Sequence, residues 1–172
     1  MRISLSIAGA ALLLGGCMHI SANNEQGPKS LLADLRTPDG LDHGRATLTR
    51  TTTGFRLAVE AGGMTPGAHG IHIHTVGKCD APDFKTAGAH WNPTMKMHGR
   101  DNPKGAHSGD LINLMVGTNG SGTLQADVSG DMASLMDEDG SAIVIHAKPD
   151  DYKTDPSGNS GDRLACGVFA AR

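Results

Sequence analysis

Aromatic side chains are scarce in this chain, with three Phe, one Tyr and one Trp among 172 residues, so a core has to be assembled from Leu, Ile, Val, Ala and Met. Lys and Arg are never gathered into a block and the formal net charge is −3. That balance excludes nucleic acid as a partner. The apolar pattern holds no helical period over a long stretch, which excludes a helical bundle. Long predominantly apolar runs are missing with one exception, "ISLSIAGAALLLGG" between Arg2 and Cys17, which carries no charge but is short and interrupted by Ser and Gly. It reads as a secretory signal rather than a spanning helix. No internal repeat divides the chain, and the length suits one domain.

The end of that signal, Leu14-Gly15-Gly16-Cys17, resembles a bacterial lipoprotein signal. The resemblance implies removal of residues 1–16, lipid chains on Cys17, and a membrane anchor in the periplasm or cell envelope. The alternative is ordinary cleavage nearby, for instance after Ala22, which releases a soluble protein. Residues 17–30 are polar and turn-rich, a flexible tether in which His19 is a solvated loop residue, and 31–172 form the domain. With Cys17 lipidated, Cys79 and Cys166 remain: an even pair in an oxidising compartment, either bonded or two buried thiols.

What the chain does have is alternation. "GFRLAVEA" (54–61) sets Phe55, Leu57 and Val59 against Arg56, Ala58 and Glu60, and "GTLQADVSG" (122–130) sets Leu124, Ala126 and Val128 against Gln125 and Asp127. Segments 31–36, 45–50, 69–74, 111–116, 141–146 and 163–169 complete a set of eight, interspersed with turn glycines. The expected fold is all-β, an eight-stranded antiparallel Greek-key barrel or flattened sandwich. Two connections, 75–110 and 147–162, are too long for hairpins, and such loops in a compact domain are usually functional.

Six of the nine histidines fall between His69 and His107. On a strand, His72 and His74 of "HGIHIH" share one face and Ile71 and Ile73 the other. On a helix the same spacing would turn the two rings about 200° apart. The loop that follows adds His90, His98, His107 and Asp110. Three imidazoles and a carboxylate satisfy a closed tetrahedral zinc site. His146, ending "SAIVIH", is placed to meet His72 and His74 on a sheet face, and three or four imidazoles suit copper(II) better than magnesium or calcium.

In this combination of motifs the sequence resembles the bacterial copper,zinc superoxide dismutases over roughly residues 31–172. "HGIHIH" is similar to the family's first copper segment, which implies His72 and His74 as copper ligands. "GAHWNP" resembles the segment of the bridging histidine, which implies His90 as a ligand of both metals. "HGR" and "HSGDL" resemble the zinc loop, implying His98, His107 and Asp110 as zinc ligands. "IVIHAKPDD" implies His146 as the last copper ligand and Asp150 as the acid that hydrogen-bonds one ligand histidine of each metal. "GDRLACGVF" resembles the C-terminal signature, with Arg163 guiding the anion and Cys166 bonded to Cys79. His69 matches a structural histidine rather than a ligand, and His43 matches nothing and reads as a turn residue.

The resemblance also implies one copper and one zinc per subunit, with superoxide anion as the substrate. The reaction is dismutation to oxygen and hydrogen peroxide by a redox-cycling copper, with His90 and Arg163 catalytic. Protection of the cell envelope follows as the role, and the family admits both a homodimer and a monomer. Two residues depart from the pattern: Asp162 precedes Arg163 where a small or neutral residue is common, and Ile112 stands where many bacterial members carry proline. A non-catalytic copper/zinc-binding or copper-chaperone domain of the same fold is the rival, but such domains tend to lose copper ligands or the guiding arginine. A zinc hydrolase would need an open zinc position and a general base, and residues 90–110 contain no Glu.

Overall fold

The computed structural model describes residues 27–171. The expected signal segment, Cys17, His19 and most of the expected tether lie outside the described residues. Within them the strands are β1 (Ser30–Arg36), β2 (Asp42–Arg50), β3 (Gly54–Ala61), β4 (Gly67–His69), β5 (Ile71–His74), β6 (Leu114–Val116), β7 (Gly122–Ser129), β8 (Ala142–His146), β9 (Arg163–Val168) and β10 (Ala170–Ala171). A four-residue helix, α1 (Met132–Leu135), which the alternation did not signal, lies between β7 and β8. Asp131 caps it by accepting from Ser134 N at 2.9 Å. None of the described helices is long and apolar enough to cross a membrane.

The strands pair antiparallel in the order β4-β6-β7-β3-β2-β1-β9-β8-β5, with β10 beside β1. The eight expected segments become ten because β10 is added and "HGIHIH" breaks at Gly70. There the backbone turns to the other side: Gly70 N–H donates to Lys148 O and Gly70 O accepts from His146 N, both at 2.8 Å. β4 therefore pairs with β6, and β5 with β8. These two strands stand at opposite ends of the order yet are separated in sequence by Gly70 alone, so the sheet curls into a nearly closed barrel. The connection from β3 to β4 skips past β7 and β6, which is the Greek-key step.

Alternation fills the interior as expected. Leu31, Leu35, Leu48, Leu57, Ile71, Ile73, Ile143 and Ile145 are fully buried in one core with Phe55, Val59, Leu124 and Val128. Each such side chain stabilises the fold by roughly 1.5–3 kcal/mol. Trp91 joins them, its Nε1–H donating to Ser134 O at 3.0 Å. β5 and β8 differ from the other strands in being buried at every residue, on both faces.

Candidate metal centre

The second buried face of β5 and β8 is the one that carries the histidines. In register, Ile71 faces Ile145 and Ile73 faces Ile143 toward the core, while His72 faces Val144 and His74 faces Ala142 on the outside. The loop 75–110 covers that outer face. Phe84 and Ala87 pack with Ala142, Val144 and Cys166 in a small separate cluster, and a Cys79–Cys166 disulfide ties the loop down. The same loop also runs beside β5: Trp91 N–H donates to Ile73 O at 2.7 Å, and Ile73 N–H to Gly109 O at 2.9 Å. This pairing brings His90 opposite His74 and Asp110 opposite His72. His146 reaches the same face from the end of β8, where a bulge after Ile145 aligns it with Arg163.

Four imidazoles, those of His72, His74, His90 and His146, converge so that one ligand atom from each lies within 4.8 Å of the others. Each ring has one nitrogen committed. His72 Nε2 donates to Asp150 Oδ2 (2.7 Å), His74 Nδ1 to Gly88 O (2.9 Å) and His146 Nδ1 to Gly161 O (3.1 Å). His90 Nδ1 lies 2.9 Å from Asp110 Oδ1. The remaining nitrogens, His72 Nδ1, His74 Nε2, His90 Nε2 and His146 Nε2, are buried and have no hydrogen-bond partner. Buried polar atoms are nearly always satisfied, so four orphans at one point mark a site for something that accepts lone pairs. Burial favours the neutral rings: it pushes His72 down to about 3, His146 to about 4, His74 well below its ordinary value, and His90 down as well. Four neutral imidazole donors fit copper.

The second cluster centres on Asp110. Its Oδ1 lies 2.9 Å from His90 Nδ1, 3.0 Å from His98 Nδ1 and 3.1 Å from His107 Nδ1. A tetrahedral zinc with bonds of about 2.0–2.1 Å spaces its ligand atoms about 3.3 Å apart, close to these separations. The donors fit zinc. His72 is also within reach of His90, His98 and Asp110, but its Nε2 is bonded to Asp150, and its orphan nitrogen belongs with the first group. Asp110 Oδ2 accepts from Gly99 N (2.9 Å) and His107 N (3.0 Å). Burial opposes ionisation of Asp110, but the bonds from His90, His98 and Gly99 outweigh it and hold the carboxyl well below the usual range.

Asp150 joins the two clusters: Oδ2 accepts from His72 Nε2, and Oδ1 from His98 Nε2 at 3.0 Å. Its carboxyl is likewise held low against burial by His72 and His98. For His98, burial works downward, but Asp110 and Asp150 prevail and raise it to about 9. Gly158 packs against this junction. A Cβ there would lie 1.9 Å from Asp150 Oδ1, and its φ of +64° favours glycine in any case.

Arg163 is half-buried and its guanidinium is fixed by two carbonyls of the covering loop, Phe84 O (2.7 Å) and Gly88 O (2.8 Å). Gly88 O thus holds both Arg163 and His74. The positive charge of Arg163 disfavours protonation of His74 and His146, so its field reaches the first cluster. His69 Nδ1 lies 2.7 Å from His146 O and Nε2 lies 2.9 Å from Thr65 O; it touches the backbone of a cluster residue and no orphan nitrogen. His43, expected in a turn, is instead the second residue of β2, where the antiparallel pairing with β1 and β3 begins; its Nδ1 lies 3.3 Å from Asp42 O, and it joins neither cluster. Asp162 is exposed, and its charge acts favourably on Lys85, which pairs with Asp83 at 2.7 Å.

Several contributors carry no sequence signal. Gly88 acts through a carbonyl that any residue possesses. Asn113 sits inside the expected strand 111–116, which is strand only from Leu114, and it pairs instead with Asp150: Asn113 Nδ2 donates to Asp150 O (3.0 Å) and Asp150 N to Asn113 Oδ1 (2.8 Å). Asp155 accepts from His98 N at 2.6 Å.

A nearly closed antiparallel barrel with two adjoining buried donor sets on its outer face, one all-imidazole and one with a carboxylate, defines a two-metal β-barrel protein. The chain belongs to the copper/zinc superoxide dismutase family, whose profile matches residues 42–169. It is 44% identical over 145 residues to superoxide dismutase (Cu-Zn) 1 of Aquifex aeolicus, covering 79% of this chain and 85% of that one. Among solved structures it resembles a SOD-like protein from Bacillus subtilis, with a TM-score of 0.76, 37% identity, and coverage of 81% of this chain and 97% of that one. It also resembles the Cu/Zn superoxide dismutase from Brucella abortus, with a TM-score of 0.67, 25% identity, and coverage of 82% and 99%.

Proposed function

We propose that this protein dismutes superoxide, with copper at His72 Nδ1, His74 Nε2, His90 Nε2 and His146 Nε2, and zinc at the Nδ1 atoms of His90, His98 and His107 with Asp110. The four orphaned nitrogens carry the reading. Bound there, copper supplies one-electron exchange in both directions, so one superoxide loses an electron to become oxygen and another gains an electron and two protons to become hydrogen peroxide. His90 serves both donor sets through its two nitrogens. In the structure Nδ1 faces the Asp110 carboxylate; with zinc at Nδ1 instead, a proton taken up by this ring would have to reside at Nε2, facing the first cluster, where it would be available to the product. Arg163, immobilised on two carbonyls, offers a fixed cation to an anionic substrate. Asp150 keeps the rings of His72 and His98 oriented for the two metals.

Non-catalytic domains of the same fold tend to lose a copper donor or the arginine, and here all are present. The test is metal analysis of the purified domain alongside a superoxide turnover assay: about one copper and one zinc per chain with turnover is expected, and full metal loading without turnover would sink the reading. The uncharged segment ending Leu14-Gly15-Gly16-Cys17, together with the disulfide, supports an exported protein anchored in the cell envelope through lipid on Cys17, where it would protect against superoxide. Cys17→Ser should move the protein from the membrane pellet to the soluble fraction; continued pelleting would contradict lipidation.

A further inference from the structure

Asp150 has to present two carboxylate oxygens to two rings at once, yet it lies in the loop 147–162, outside every strand. Around it the structure closes a ring of three residues. Asn113 grips the backbone of Asp150 through its side-chain amide. The N–H of Asn113 donates to the Tyr152 hydroxyl oxygen at 2.8 Å, and Tyr152 N–H donates to Asp150 Oδ1 at 2.7 Å. Tyr152 also meets the loop that carries His98 and His107: its carbonyl accepts from Asp101 N at 3.0 Å, and Arg100 Cζ lies 4.7 Å from its ring centroid. It achieves this at φ = 62°, a left-handed backbone conformation uncommon for a bulky residue and kept only when the surroundings enforce it. Backbone N–H, carbonyl, ring and hydroxyl are all engaged by the second loop, the zinc loop or the residue that leads into β6.

We propose that Tyr152, acting with Asn113, is a positioning residue for the metal pair: its hydroxyl locks the Asn113 clamp and so fixes Asp150 between His72 and His98. The proposal rests on the metal assignment given under the proposed function. Substitution Tyr152→Phe removes the hydroxyl oxygen and leaves the ring under Arg100. Orienting groups around metal ligands typically contribute 10–100-fold in affinity, and a residue acting through Asp150 sits at the lower end. The zinc dissociation constant of the full protein, measured by chelator competition with copper retained, should rise roughly 10-fold. In an Asp150→Asn background the same substitution should have no further effect, because the path through the carboxylate is already broken. A change under threefold in the first comparison, whatever the melting temperature does, overturns the role of Tyr152. So does an equal effect in both backgrounds, which would make the tyrosine independent of Asp150. If the unsubstituted protein itself takes up no zinc, the metal assignment and this inference fall together; zinc uptake with an unaltered Tyr152→Phe variant removes this inference alone.

Discussion

In the proposed assignment His146 separates copper from zinc, because its orphan nitrogen belongs to the all-imidazole set and it is not in the donor group that contains Asp110. His146→Ala should lose copper and abolish turnover while zinc stays near one per chain, as read by metal analysis; full activity in that variant would refute the copper assignment. Acid should act on the same rings. The folded-state values of His72 and His146, about 3 and about 4, lie below the ordinary 6.5. The unfolded chain therefore binds more protons between those values, and folding stability falls as pH drops from about 6.5 toward 3. His98 runs the other way: its value is raised to about 9, so its contribution is fully present below 6.5 and lost as pH rises through 9. Metal-free protein should thus be most stable between these limits, and urea midpoints followed by the fluorescence of the single buried Trp91 would show it. A midpoint that does not move between pH 7 and 4.5 would contradict the buried neutral rings.

Among the elements, the covering loop 75–110 turns what would be the exposed face of β5 and β8 into a buried cage of donors. Its hold on Arg163 and His74 runs through the carbonyls of Phe84 and Gly88, five and nine residues from the disulfide at Cys79. Cys79→Ser should lower stability by about 2–5 kcal/mol, measured by denaturant unfolding, and should slow turnover because the carbonyl anchors of Arg163 relax. Unchanged turnover would show that packing of Phe84 and Ala87 alone positions the loop. The element pattern was largely legible in the sequence, since period-two alternation in "GFRLAVEA" and "GTLQADVSG" matches β3 and most of β7. The break at Gly70 was not legible, because it depends on hydrogen bonds to Lys148 and His146, residues more than seventy positions away. Nor was the late start of β6, where Asn113 is drawn from the strand to Asp150 by a contact no local pattern encodes.

For the molecule as a whole, a net charge of −3 opposes the approach of an anion, which gives the local field at the rim its importance. Arg163→Ala should lower the bimolecular rate and flatten its dependence on ionic strength; an unaltered salt profile would count against guidance by this residue. Asp162→Ser should raise the rate at low salt and change it little at physiological salt, where exposed charges are screened over about 8 Å, and equal rates at both would show Asp162 to be neutral in guidance.

The sequence alone determined the all-β class, the two long loops and the identity of the histidines and acids, because strand period and donor chemistry are local properties of the chain. Only the tertiary structure decided which nitrogen of each ring is spoken for, that the outer face of β5 and β8 is buried, and that Gly88, Asn113 and Tyr152 hold the site in shape. Those features depend on backbone carbonyls and side chains brought together across the barrel, and such partners leave no trace in spacing or composition.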